Sequence, residues 1–385
     1  MKIKTIKNIL ILSIFLLISC REEYYPDLDN YENALVVEGM ITAEPGPYLI
    51  KLSMSSLITK VEFTPFSNAE VKIFDNLGNN ETLTETSAGE YYTSDNGFQS
   101  VVGRKYKIQI ITPDDKMYSS DFEELLAPVG IDSLYAKVET KESIFHDYDL
   151  QGLQFYIDSE LASKDTTFLM YRLESTYKFN SSFIIVYSFD GVRKPVYNTD
   201  TLFTCWKTEN LQEIYLSNTI DLTEARIFNF PINYVSTEDR ELSIKYSLLV
   251  KQMCISKKAY DYWYSVDELN AEQGTLYSSL PYQIRGNIFN ENDENELVLG
   301  YFMATGISEK RIFIERPVLD FHYIQCIITT NLYEAWGMVH WLPPSFWPLF
   351  ATIDFSNGRI ALPHQNCVNC TKKGGYLNKP EFWID

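Results

Sequence analysis

Residues 240–256, RELSIKYSLLVKQMCIS, place Leu242, Ile244, Tyr246, Leu248 and Val250 on one side at period two. This is the alternation of a half-buried β-strand. The period then changes. In SKKAYDYWYSVDELNAEQG (256–274), Tyr260, Trp263, Val266 or Asp267, and Leu269 recur at helical spacing, with Ser256 able to cap and Gly274 just past the end. That pattern predicts one main helix near 256–272. Upstream, GLQFYIDSE (152–160), TFLMYRLESTYKF (167–179) and SSFIIVYSF (181–189) read as strands. Downstream, residues 281–314 return to strands, with Asn290 to Asn295 as the turn between two of them. The fold class is therefore mainly β with one main helix.

The amino-terminal part has the same character in shorter pieces. ALVVEGMITAEPGPYLIKLSMSS (34–56) offers two strands around Glu44-Pro45-Gly46-Pro47, and others follow near 70–74, 81–84, 90–92 and 105–111. Turn signals such as Asp75-Asn76-Leu77-Gly78-Asn79, Ala88-Gly89 and Asn96-Gly97 separate them. Short strands at near-regular spacing without a helical period predict a β-sandwich over 34–128, closed by Ala127-Pro128-Val129-Gly130. A larger β-rich domain, sandwich or barrel-like, follows over 129–385. At 385 residues, 45% of them hydrophobic, the chain is long enough to bury two such cores.

The first nineteen residues read as an address. Lys2, Lys4 and Lys7 precede an uncharged stretch, Ile9 to Ser19, too short to span a bilayer unaided. Leu17-Ile18-Ser19-Cys20 resembles a bacterial lipoprotein signal, which makes Cys20 the expected site of lipid attachment after removal of 1–19. Acyl chains contribute about 0.8 kcal/mol per buried methylene, enough for several together to hold a protein on a membrane. Arg21, Glu22 and Glu23 look like the acidic surface-export signal of Bacteroidota lipoproteins, and 20–33 as a whole reads as a tether. Three lysines and no acid leave with the signal peptide, taking the net charge from −19 to −22. Nucleic acid, bound chiefly through Lys and Arg, is thereby an unfavourable partner.

Five cysteines remain. Cys367 and Cys370 form a CxxC without a second pair to complete a zinc site, and without the βαβ context of a redox motif. Structural disulfides are expected, with Cys326 and Cys205 as partners of the terminal pair. Cys254, between Met253 and Ile255 in an apolar strand, is the expected free thiol. The four histidines form no HExxH or comparable pair, and G-x-S-x-G, P-loop and dinucleotide motifs do not occur. No catalytic residue, metal or cofactor is therefore assigned. NENDENEL (290–297) crowds oxygen ligands but lacks the glycine and closing glutamate of a calcium loop, so it reads as a solvated hairpin turn. LYEAWGMVHWLPPSFWPLF (332–350) gathers Trp336, Trp341, Phe346, Trp347 and Phe350 around prolines that forbid a continuous helix. It is either a platform for a sugar, peptide or partner protein, or a plug completing a core.

The segments ALVVEGMIT (34–42), GFQSVVGRKYKIQI (97–110), IDSLY (131–135), ISKKAYDYW (255–263), GNIFNENDENELVLGYF (286–302), SEKRIFI (308–314) and the terminal CVNC and KPEFW (367–370, 379–383) together carry a family likeness. The chain resembles the Bacteroidota lipoprotein family catalogued as domain of unknown function 4249. The resemblance implies an immunoglobulin-like amino-terminal sandwich and a larger β-rich domain. It also implies an outer-membrane location facing the cell exterior, and partnership with a TonB-dependent receptor, with no established enzymatic activity. The stretch Leu332 to Phe350 and Cys254 depart from the family's usual pattern. The expected function is that of a non-catalytic accessory or substrate-binding partner in nutrient uptake, with a glycan or peptide as possible ligand. A surface glycan or peptide hydrolase and a structural adhesin or assembly factor are the alternatives.

Overall fold

A computed structural model of the chain describes residues 33–56, 63–143, 147, 149–161, 166–220, 222, 226–272, 284–323, 326–328 and 342–384. Cys20, Arg21, Glu22, Glu23, Trp336 and Trp341 lie outside the described residues. The stretch 240–256 forms a short 3-10 turn, Glu241–Ser243, and then the strand Lys245–Ile255. Tyr246, Leu248 and Val250 face the core, as the alternation predicts. From Gln252 to Ile255 every residue is buried, because the helix Lys257–Glu272 folds back over the other face. Ser256 Oγ accepts the Ala259 N–H at 3.1 Å and caps the helix start.

The Lys245–Ile255 strand belongs to a ten-stranded sheet that runs through most of the molecule. Its main path is Thr204–Asn210, Phe168–Asn180, Lys245–Ile255, Val298–Glu315, Leu35–Thr42, Leu49–Met54, Glu90–Tyr92 and Thr84–Ser87. The 18-residue strand Val298–Glu315 is the hinge pin of this order. Its first half pairs in parallel with Leu35–Thr42, in register from Leu35↔Val298 to Thr42↔Thr305. Its second half pairs antiparallel with Lys245–Ile255, from Cys254↔Gly306 to Lys245↔Glu315.

Two sandwiches share this one sheet. In the first, Val37, Ile41, Ile50 and Leu52 pack against Ile73, Ile108 and Ile110 of the second layer, whose order is Ile288–Asn290, Met117–Ser120, Lys105–Ile111, Glu70–Asp75 and Asn80–Thr82. Ile288, Val298 and Phe302 complete the same core, so the unit expected over 34–128 also takes in strands from the far side of the chain. In the second, Phe155 and Ile157 of the layer Ser133–Lys141, Leu150–Glu160 and Arg226–Ser236 meet Tyr171, Leu173 and Leu248. Each such side chain contributes roughly 1.5–3 kcal/mol on burial.

The boundary segment is fastened to the shared sheet. A Cβ on Gly306 would meet Pro128 N at 2.3 Å and Leu126 O at 2.5 Å, so only glycine admits the crossing chain. Gln252, polar on a core-facing position, donates to Val129 O at 2.7 Å and accepts from Ser159 Oγ at 2.7 Å. The expected boundary near 128 is thus a change of sheet, with no free linker. Asn290 to Asn295 likewise joins two layers rather than closing a hairpin, since Ile288–Asn290 pairs with Met117–Ser120.

The carboxyl end returns to the outer face of the shared sheet. Cys205 bonds Cys370 and Cys326 bonds Cys367, while Cys254 is a buried free thiol whose pKa burial pushes up to about 11. The tail then pairs at Trp206↔Tyr376, and Trp383 packs edge-on to Phe313 with centroids 5.6 Å apart. Among the described residues no helix is long and apolar enough to cross a membrane.

Candidate functional site

On a sheet whose inner face fills two cores, the outward positions of the strands should be polar. Here several are not. Val36 and Met40, Leu299 and Met303, Met170 and Met253 all point outward from four neighbouring strands. The disulfide-bound tail covers the far end of this face and the helix covers its middle, where Ala259 is 1% exposed. The remainder is an open groove of about 970 Å³, walled on one side by Tyr262, Trp263, Val266 and Leu269 and rimmed by the 44–48 turn. That volume lies at the upper end of the range of about 300–1,000 Å³ for small-molecule sites.

The helix is fixed in place by its aromatic face. Tyr262 packs on Tyr301 with ring centroids 4.9 Å apart, and Tyr301 donates to the buried Glu123 at 2.6 Å, which ties the groove floor to the other layer of the first sandwich. Burial and the Glu123 acceptor hold the Tyr301 phenol firmly protonated. Tyr260 packs at a tilt against Phe168, ring centroids 5.1 Å apart, and accepts from Asn218 Nδ2 at 2.9 Å. Trp263 Nε1 donates to Met303 Sδ at 3.1 Å, so the indole stands in a set orientation over the methionine floor.

Charge in the groove is sparse. Lys51, at the rim, is paired with Glu90 at 2.8 Å. Glu38 is exposed. Arg172 is half-buried, with its guanidinium 4.8 Å from the centre of the Trp263 ring. Burial lowers its pKa, and the field of Glu38 opposes that shift. Burial likewise raises the pKa of Tyr262. The arrangement offers a deformable apolar bed, an oriented indole and one guanidinium.

The aromatic segment is distributed otherwise. Trp347 packs against Phe189 at 5.6 Å within a small four-stranded sheet that includes Tyr187–Phe189 and Leu349–Asp354. Phe350 lies in that sheet, its backbone N–H and C=O both bonded by the Gln365 amide. Phe346 is exposed. Trp347 and Leu349 thus join a small cluster of their own with Phe189, while Pro343 to Phe346 and Pro348 are exposed. Two of the four acids of 290–297 have partners outside that stretch. Glu296 accepts from Lys116, Tyr118 and Asn290, which hold its carboxyl below the usual range although burial works against them, and Glu291 accepts from Ser119. No group of His, Cys, Asp and Glu among the described residues could hold a metal ion.

The groove was not legible as a site in the sequence. Its one signal is that four of the eight methionines fall on outward positions of strands that pair with one another, where alternation calls for polar residues. Methionine is flexible and polarizable, and suits surfaces that adapt to what they bind.

Fold and site together define a mainly β protein of two fused sandwiches with an apolar groove on the outer face of their common sheet. The chain matches the family described as Domain of unknown function (DUF4249) over residues 21–311 and belongs to it. The match takes in every strand and the helix that build the groove. The disulfide-bonded tail, including CVNC and KPEFW, lies beyond it. No curated protein matches the chain significantly in sequence.

Proposed function

We propose that this protein is a non-catalytic binding accessory that works at a membrane surface. It holds an apolar ligand in the groove between the helix and the shared sheet. The observation that carries this reading is the apolar groove beside Trp263, lined by a half-buried Met40 and by Met170, Met253 and Met303 buried at its base. The bed rests on a ten-stranded sheet and needs little reordering to receive a ligand. Lipid attachment at Cys20 and outer-membrane surface exposure through Arg21, Glu22 and Glu23 belong to the same proposal. A TonB-dependent receptor is the partner to which the ligand would be passed. Confinement to the plane of the membrane would raise the effective concentration of the pair.

The test has two arms. Radiolabelled palmitate should enter the parent chain and not the Cys20→Ser variant, and affinity purification from detergent-solubilised membranes should recover the receptor. A Cys20→Ser chain that stays equally membrane-bound removes the anchor. A protein that purifies alone from cells rich in the receptor removes the partnership.

A further inference from the structure

The guanidinium of Arg172 faces the groove from the middle of a strand, where a charge is costly. Among the described residues no carboxylate pairs with it and no acceptor receives its N–H groups. Its close neighbour is the face of Trp263, and the acid whose field it feels most is the exposed Glu38. The other arginine on this face of the sheet is treated differently. Arg311 is bonded to Glu174 at 2.8 Å and to Ser247 at 3.1 Å, and is covered by Phe382. One arginine is thus closed into the structure, while the other, half-buried on the groove lining, keeps its five donors without a protein acceptor among the described residues.

A guanidinium in such a place presents a planar, two-pronged receptor, and the group whose geometry matches it is a carboxylate. The groove beside it, with Leu299 and Met40 partly open and the thioethers of Met170, Met253 and Met303 buried at its base, suits an unbranched hydrocarbon that bends with the surface. We propose that the groove takes a long-chain carboxylate, its acyl chain on the methionine bed and its carboxylate on Arg172 beside Trp263. This rests on the reading of the groove as a ligand site and adds the chemistry of the ligand. Glu38 sets the limit on affinity, because its negative charge acts against an incoming carboxylate.

The experiment compares oleate with oleyl alcohol and oleylamine, which share the chain and differ in the head. Binding to the full chain carrying Cys20→Ser is measured by displacement of a neutral fluorescent lipid probe. Oleate should bind about tenfold or more tightly than either analogue, the gain expected of a charge-assisted pair. In Arg172→Gln the preference should fall to within about twofold, Arg172→Lys should recover part of it, and Glu38→Gln should tighten oleate binding. The ligand comparison on the unsubstituted groove stands even where a variant folds poorly. Equal binding of the three, or preference for the amine, overturns the role of Arg172 and leaves the groove as a site for apolar ligands. Failure of the neutral probe and all three lipids to bind overturns the groove reading as well.

Discussion

Glu241, half-buried at the turn that leads into Lys245–Ile255, carries a carboxyl whose pKa is raised to about 7. Burial is the main cause, repulsion from Asp239 and Glu209 adds to it, and Lys207 offsets a part. In the unfolded chain the same group titrates near the ordinary glutamate value of 4.5. Between those values the folded state holds a proton that the unfolded state has released, so stability falls as pH rises through the window and the full cost is present above about 7. At about 1.4 kcal/mol per unit the shift corresponds to roughly 3 kcal/mol. Residual solvent contact lowers this to about 2 kcal/mol. Glu241→Gln keeps the shape and removes the ionisation. Urea unfolding of both proteins at pH 5 and pH 8 should show similar stability at the lower value, and the variant ahead by about 2 kcal/mol at the higher. Parallel pH profiles, or a variant weaker at pH 8, would falsify the assignment.

Replacing Cys205 and Cys370 together by alanine opens a loop with a sequence separation of 165 and should lower stability by about 3–5 kcal/mol on the chain-entropy estimate, read as a drop in the urea midpoint. Gly300→Ala places a Cβ 2.0 Å from Val37 O at a backbone φ of +91°. It should cost about 3 kcal/mol or more and lower the melting temperature, and a silent substitution would contradict the parallel pairing at this point. Cys254 should resist a thiol reagent at pH 8 in the native Cys20→Ser chain and react fully once urea unfolds it, since it is both buried and kept protonated.

The elements that sequence made legible are those with a local cause. The helix start follows from Ser256 and the change of period, and the strand Lys105–Ile111 from alternation between turns. The free thiol follows from an apolar setting that the structure keeps. What the sequence concealed is non-local. Val298–Glu315 reads as one strand from its own residues, and nothing in them says that its halves serve different cores. For the same reason the groove was hidden. Met170, Met253 and Met303 each look like core residues in their own strands, and their meeting at the base of one groove emerges only when the three strands lie side by side. The stretch richest in aromatics has the composition of a platform, yet Trp347 packs locally on Phe189 and the Phe350 backbone is bonded by Gln365.

A chain emerges from the ribosome amino end first, and the parallel pairing of Leu35–Thr42 with Val298–Thr305 makes that direction matter. Until the later segment arrives, the earliest strand carries a row of unsatisfied amide and carbonyl groups along one side, a template for mispairing. Contacts so distant in sequence form slowly. A premature stop before residue 298 would therefore undo the beginning of the molecule as well as its end. Quality control that recognises the open early edge would in effect be checking whether translation had reached the far side of the chain.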